Sequence, residues 1–262
     1  MKKPKYTVAM KSIIGTRDQQ EDCAFCSSDE KKVVAAVCDG MGGHECGKLA
    51  STVTIEKFKD SLAKKDLAES FPNFYLALVD ILDELVFNLK NQKGERLGAG
   101  TTLVSAAIVN SDLFWLSVGD SRLYILRDNE LVQATRDHNY FLRLNKMKQE
   151  NEISDNQYET EAAKGEALIS FIGMGGIELM DINHAPFKLQ PDDTILLSTD
   201  GLYKSLSDEE IKQCLRTDNV EDALTSLLGK VEAKACRFQD NTTCVIIKYN
   251  GEAVHEAHQM RK

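Results

Sequence analysis

The chain has 262 residues, with 41 acidic and 32 basic side chains and a formal net charge of −9. That length suits one large domain or two small ones, and an apolar share of 42% suits a soluble globule. The acidic balance argues against a general nucleic-acid binder or a binder of anionic membranes, and no apolar run approaches the roughly 20 residues that span a bilayer.

In chain order, the start Met1-Lys2-Lys3-Pro4-Lys5 is basic, but no apolar stretch follows it. A cytoplasmic protein without a signal peptide is therefore expected. Residues 6–14 partly alternate and read as a strand. Cys23-Ala24-Phe25-Cys26 lacks the second pair that a structural zinc site needs, and in a strand its two cysteines would face opposite sides. They read as small buried side chains. The seven cysteines are scattered and odd in number, which fits reduced thiols.

Residues 32–38, K-V-V-A-A-V-C, read as a strand, and 47 to about 58 as a helix. Phe71, Phe74, Tyr75, Leu78, Leu82, Leu85, Val86 and Leu89 recur at spacings of three and four, which predicts a second helix. Asn91-Gln92 and Gly94 end it. Segments 101–110 and 113–118 flank the turn Asn110-Ser111-Asp112, and 122–127 and 131–134 flank Asp128-Asn129, a hairpin signal. A polar stretch follows from 139 to 172, then a strand over 194–199. Ser207-Asp208-Glu209-Glu210 is a capping box that opens a helix to about 215. Leu224, Leu227, Leu228 and Val231 mark another helix, and 243–249 a last strand.

Without repeats or linkers, residues 1–250 are expected to form a single domain and 251–262 a polar tail. Hairpins imply antiparallel pairing, and amphipathic helices need a sheet to cover. The expected fold is an α/β (α+β) sandwich of mainly antiparallel sheets flanked by helices.

Acidic residues gather at strand ends. Residues 33–38 run into Asp39-Gly40, 113–118 into Gly119-Asp120, and 195–199 into Asp200-Gly201. Asp240-Asn241 precedes 243–249, and Glu21-Asp22 follows the first strand. One Asp-Gly is a turn signal. Several at the ends of strands of one sheet can converge, and converging carboxylates raise one another's pKa unless a cation is present. An all-oxygen set suits a hard ion: Mg²⁺, Mn²⁺ or Ca²⁺. Two such ions about 3.5–4 Å apart can lower the pKa of a shared water and make it a nucleophile for phosphoryl transfer. Arg17, four residues before Glu21, is the candidate fork for phosphate oxygens.

These residues resemble, in order, the metal-dependent (type 2C) serine/threonine protein phosphatases, and in particular the short bacterial members. The match comprises Gly15-Thr16-Arg17 with Glu21-Asp22, Asp39-Gly40-Met41-Gly42-Gly43-His44 with Gly47, Gly100-Thr101-Thr102, Gly119-Asp120-Ser121-Arg122, Asp137-His138, Ser198-Thr199-Asp200-Gly201, and Asp240-Asn241-Thr242-Thr243. The resemblance implies two central, mainly antiparallel sheets between helical layers, with a flap over about 139–172. It implies hydrolysis of phosphoserine and phosphothreonine esters by a water bridging two Mn²⁺ or Mg²⁺ ions, with a third ion in some members. Asp39 would bridge the two metals and Asp200 and Asp240 would hold the first. Glu21 and the Gly40 carbonyl would serve the second, Asp22 would act through water, and Asp120 with Asp200 would form a weaker third site. Arg17 and Asp39 are thus the catalytic candidates, and Arg17 would hold the substrate phosphate. The implied partners are phosphoprotein substrates and a cognate serine/threonine kinase; from the charge balance and hydropathy no nucleic acid and no membrane are expected, and a monomer is expected.

The chain departs from the pattern at Gln20, Lys48 and Asn139, none of them a ligand. Met41 stands where another branch has a histidine proposed as general acid; His44 is the nearest histidine, with a structural role favoured for it. His255 and His258 in the tail are given no role. Three rival readings stand beside this one. The first is a nucleotide-binding loop over Gly42-Gly43-His44-Glu45-Cys46-Gly47-Lys48, weakened by Leu49 where Ser or Thr is needed. The second is an inactive binding module on the same fold, disfavoured because Asp39, Asp200 and Asp240 are present. The third is a phosphatase of small-molecule esters.

Overall fold

A computed structural model describes residues 4–43, 45–63 and 71–251. The elements follow in chain order as β1 (Tyr6–Ile13), β2 (Cys23–Ser28), β3 (Lys32–Cys38), β4 (Gly40–Met41), α1 (Glu45–Ala63), α2 (Phe71–Phe87), β5 (Gly100–Thr101), β6 (Leu103–Val109), β7 (Asp112–Val118), β8 (Arg122–Arg127) and β9 (Glu130–Gln133). Then come α3 (Tyr140–Gln149), α4 (Asp155–Ala162), β10 (Asp181–Ile182), β11 (Phe187–Lys188), β12 (Thr194–Ser198), α5 (Asp200–Tyr203), α6 (Asp208–Leu215), α7 (Val220–Ala233) and β13 (Thr242–Tyr249). One sheet has the order β1-β13-β12-β8-β9, a second β10-β7-β6-β3-β2 with β11 beside β7, and β4 pairs with β5. Every pairing is antiparallel, as the hairpin signals predict.

The unbroken apolar run of β3 follows from its place in the stack. Val34, Ala36 and Cys38 pack with Phe58 of α1 and with Phe74, Leu78 and Leu82 of α2, while Val33, Ala35 and Val37 pack between the two sheets. Alternate residues of a strand point to opposite faces, so covering both faces selects apolar residues throughout. β13 behaves likewise, with Cys244 and Ile246 facing α6 and α7 and with Val245 and Ile247 facing the other sheet. Two sheets between two helical layers result, as expected. Full burial of a leucine such as Leu82 contributes roughly 1.5–3 kcal/mol.

Two local expectations change and two segments gain detail. The segment 101–110 is not one strand: Thr101 pairs with Gly40 and the ladder resumes at Leu103, because Thr102 between them turns aside to hold Asp39. Cys23 and Cys26 lie in β2, which periodicity does not reveal; Cys23 packs toward α1 and α2, and Cys26 packs between the sheets. The helix predicted from 47 to 58 runs over Glu45–Ala63. The polar stretch 139–172 holds two helices, α3 and α4, the latter opened by a capping box between Ser154 and Gln157. The capping box at Ser207 forms as predicted, with Glu210 as its partner. His44, His255 and His258 lie outside the described residues. Among the described residues, no helix is long and apolar enough to cross a membrane.

Candidate active site

Strand register brings the acidic residues to one end of the sandwich. Cys23 pairs with Cys38, so Glu21-Asp22 lies beside Asp39. Ile13 pairs with Thr242, so the loop carrying Arg17 lies beside Asp240. Ser198 pairs with Cys244, which sets Asp200 next to the start of β13. Leu103 pairs with Val118, which carries Asp120 toward Thr102.

The backbone of Asp39 is clamped. Thr101 Oγ1 and the Thr102 amide donate to its carbonyl at 2.8 and 2.9 Å, and its own amide donates to Thr102 Oγ1 at 2.9 Å. Burial first, and then the charges of Asp200, Asp22, Asp120 and Asp240, push the Asp39 carboxyl well above the usual carboxylate range. Burial and the Asp200 and Asp240 charges push Asp22 up to about 7, against a hydrogen bond donated by Thr199 Oγ1 at 2.9 Å. Burial and Asp200 push Asp120 up to about 6, with Lys204 pulling the other way. Asp200 Oδ1 is buried without a hydrogen-bond partner.

The glycines explain the second part of the cluster. A Cβ at Gly47 would strike the Glu21 carboxylate, and one at Gly40 would fall 2.7 Å from the Glu21 carbonyl oxygen. Glu21, Gly40 and Gly47 are therefore in mutual contact, which only glycines permit. Asn241 ties this loop down: its Oδ1 accepts from the Glu21 amide at 2.8 Å, and its Nδ2 donates to the carbonyls of Ile14 and Gln19.

The Arg17 guanidinium is largely exposed and pairs with Asp240 at 2.6 Å. Lys204, which the sequence reading passes over, donates to Asp200 Oδ2 at 2.7 Å; its i,i+4 spacing from Asp200 was a readable signal, had the short helix α5 been foreseen. The Asp137-His138 pair is structural. Asp137 accepts two bonds from Arg122, at 2.8 and 2.6 Å, and His138 Nδ1 accepts from the Gly119 amide at 3.1 Å, fixing the turn that presents Asp120. Met41 pairs with Gly100, so the segment just before Gly42 is held in the β4–β5 pair.

Divalent cations fit this donor set. The side chains are all carboxylates, they raise one another's pKa, and a buried oxygen among them lacks a donor. As they stand, no three described His, Cys, Asp or Glu side chains close on one point, and Arg17 and Lys204 neutralise two of the aspartates.

The family model described as protein phosphatase 2C matches residues 14–237. A serine/threonine phosphatase stp of Listeria welshimeri is 28% identical over 231 residues, 86% of this chain and 88% of that protein. The serine/threonine phosphatase of S. agalactiae superposes with a TM-score of 0.80 at 22% identity, over 94% of this chain and all of that one. The catalytic domain of the phosphatase PstP, in complex with two manganese ions, superposes with a TM-score of 0.74 at 24% identity, over 94% and 99% of the two chains.

Proposed function

The chain belongs to the protein phosphatase 2C family and is a protein phosphatase, and from that premise we propose that it hydrolyses phosphoserine and phosphothreonine esters in proteins at the carboxylate cluster, with Mn²⁺ or Mg²⁺ as cofactor. The observation that carries this reading is Asp39 among four other aspartates, with a donorless Asp200 oxygen beside it. Asp39, Asp200, Asp240, Glu21 and the Gly40 carbonyl would hold two ions, with Asp22 acting through water and Asp120 with Asp200 serving a weaker third. When bound, such ions supply Lewis-acid charge and bring a water's pKa toward neutrality, so that it can attack phosphorus directly.

The chain's own residues do the rest. Thr101, Thr102 and Ser121 hold Asp39 in place through a buried hydroxyl chain, with Thr102 and Ser121 Oγ atoms 2.7 Å apart. Asn241 fixes the Arg17–Glu21 loop against β13. Arg17 offers a planar set of donors at the edge of the cluster, where a phosphate monoester takes over the bond now made to Asp240. The substrates are phosphoproteins, made by a serine/threonine kinase. We further infer a monomer working in the cytoplasm.

The test is hydrolysis of a phosphothreonine peptide and of p-nitrophenyl phosphate, with EDTA, Mg²⁺ or Mn²⁺. Turnover of the peptide that requires the added ion is expected. Turnover of the small ester alone favours a small-molecule phosphatase, and metal binding without turnover of either favours a binding module. Arg17→Ala is expected to raise KM for the peptide about tenfold or more, with a smaller change in kcat, since charged hydrogen bonds to phosphate are lost from both ground and transition states. An unchanged KM removes Arg17 from the phosphate site.

A further inference from the structure

Lys204 is a cation that the acidic site carries within itself. It follows α5 and lines a cleft of about 460 Å³ together with Asp120, Arg122, Phe141 and Glu166. Its Nζ donates to Asp200 Oδ2 at 2.7 Å and stands 3.2 Å from Glu166 Oε2. Glu166 belongs to the segment that closes the polar stretch, where the Tyr140 and Phe141 amides donate to the carbonyls of Ala167 and Gly165. One ammonium thus joins an aspartate of the core to the flap.

The neighbouring cation cannot serve the same purpose. Arg122 is committed to Asp137 by two bonds and to the Tyr203 ring, 3.4 Å from its centroid. Burial opposes the Lys204 charge, but the Asp200 and Glu166 pairs outweigh it and hold its pKa above the usual lysine value. Lys204 and Asp120 line the same cleft, so its charge stands beside both acids of the Asp120–Asp200 pair. The two oxygens of Asp200 are unlike: Oδ2 is taken by the ammonium, and Oδ1 is buried without a donor. A cation can therefore meet Oδ1 with Lys204 in place, whereas one shared by Asp120 and Asp200 meets a positive charge already there.

We propose that Lys204 competes with a divalent cation at the Asp120–Asp200 pair and, through Glu166, couples occupancy of that pair to the seating of the flap. The inference rests on the reading of Asp200 as a metal ligand. A lysine ammonium is a compact point charge with three rotatable donors, so it can release Asp200 and keep Glu166. Losing one of its two anchors loosens the flap segment, because its bond to Glu166 alone is a surface pair.

The experiment is calorimetric titration with Mn²⁺ of wild type, Lys204→Met and Lys146→Met, with amide hydrogen exchange over 139–172. Lys146, on α3, pairs among the described residues only with Glu150, at 3.9 Å, and controls for the loss of a positive charge elsewhere in the flap. In Lys204→Met the weakest Mn²⁺ event is expected to tighten about tenfold, an ordinary coupling between sites. The Phe141 and Tyr140 amides exchange faster in that variant without metal. Lys146→Met leaves both unchanged. Glu166→Gln, at an exposed position, leaves Lys204 on Asp200: it speeds the same amides but weakens the last Mn²⁺ event. Wild type that binds no Mn²⁺ overturns the metal reading and this inference with it. Wild-type binding that is unchanged in Lys204→Met, equal tightening in Lys146→Met, or tightening in Glu166→Gln overturns the inference alone.

Discussion

Asp39→Asn is expected to lower kcat on a phosphothreonine peptide by about a thousandfold or more while leaving the fold intact. The backbone at Asp39 is fixed by Thr101 and Thr102, and neither bond involves the carboxylate, so the amide side chain keeps its position. The substitution removes one negative charge from a group of five and with it the charge that would be shared between two cations.

A second readout separates this from unfolding. An acid whose folded pKa is raised favours the folded state below its unfolded value and costs stability as pH rises through the folded pKa. With Asp22 at about 7 and Asp120 at about 6, against 3.8 unfolded, metal-free wild type should lose stability as pH rises from about 4 to about 7. Asp39→Asn relieves part of that repulsion. In EDTA at pH 8 its Tm should equal or exceed that of wild type, while the stabilisation by Mn²⁺ shrinks. Near-wild-type kcat, or a Tm well below wild type in EDTA, would remove Asp39 from the centre of the mechanism.

Gly40→Ala is expected to destabilise the protein by about 3 kcal/mol or more, through backbone overlap that no rotamer relieves. A Cβ there would lie 2.5 Å from the Gly47 carbonyl carbon and 2.7 Å from the Glu21 carbonyl oxygen. These atoms belong to α1 and to the loop before β2, so relief requires one of them to move, and with it the Glu21 carboxylate. The urea midpoint should fall with the slope unchanged. Gly94→Ala is the control. Its φ of 83° carries only the left-handed penalty of about 1–2 kcal/mol, since nothing lies within 4 Å of the added carbon. Equal shifts for the two variants would mean that Gly40 and Gly47 are not in the contact described.

Much of the site was legible because its signals are local. An acid after an apolar strand marks a strand end, and Ser207 with Glu210 marks a helix start, whatever lies elsewhere in the chain. β3 could be read because burial on both faces leaves an unbroken apolar run, whereas β2 could not: its residues are half-buried or exposed on both faces, so no period appears. The two-residue strands β4, β5, β10 and β11 have no propensity of their own and exist because a neighbouring strand offers hydrogen bonds.

By itself, then, the sequence determined most of the longer strands and the amphipathic helices, that the sheets are antiparallel, and that a set of hard oxygen donors stands at strand ends. Tertiary structure alone decided which of those donors share a site and which cations meet them. Arg17 bonds to Asp240 across 223 positions, and Lys204 joins Asp200 to a glutamate 38 residues earlier in the chain. Such pairings are set by strand register and loop closure, and these depend on the packing of the whole sandwich, so no local pattern in the chain records them.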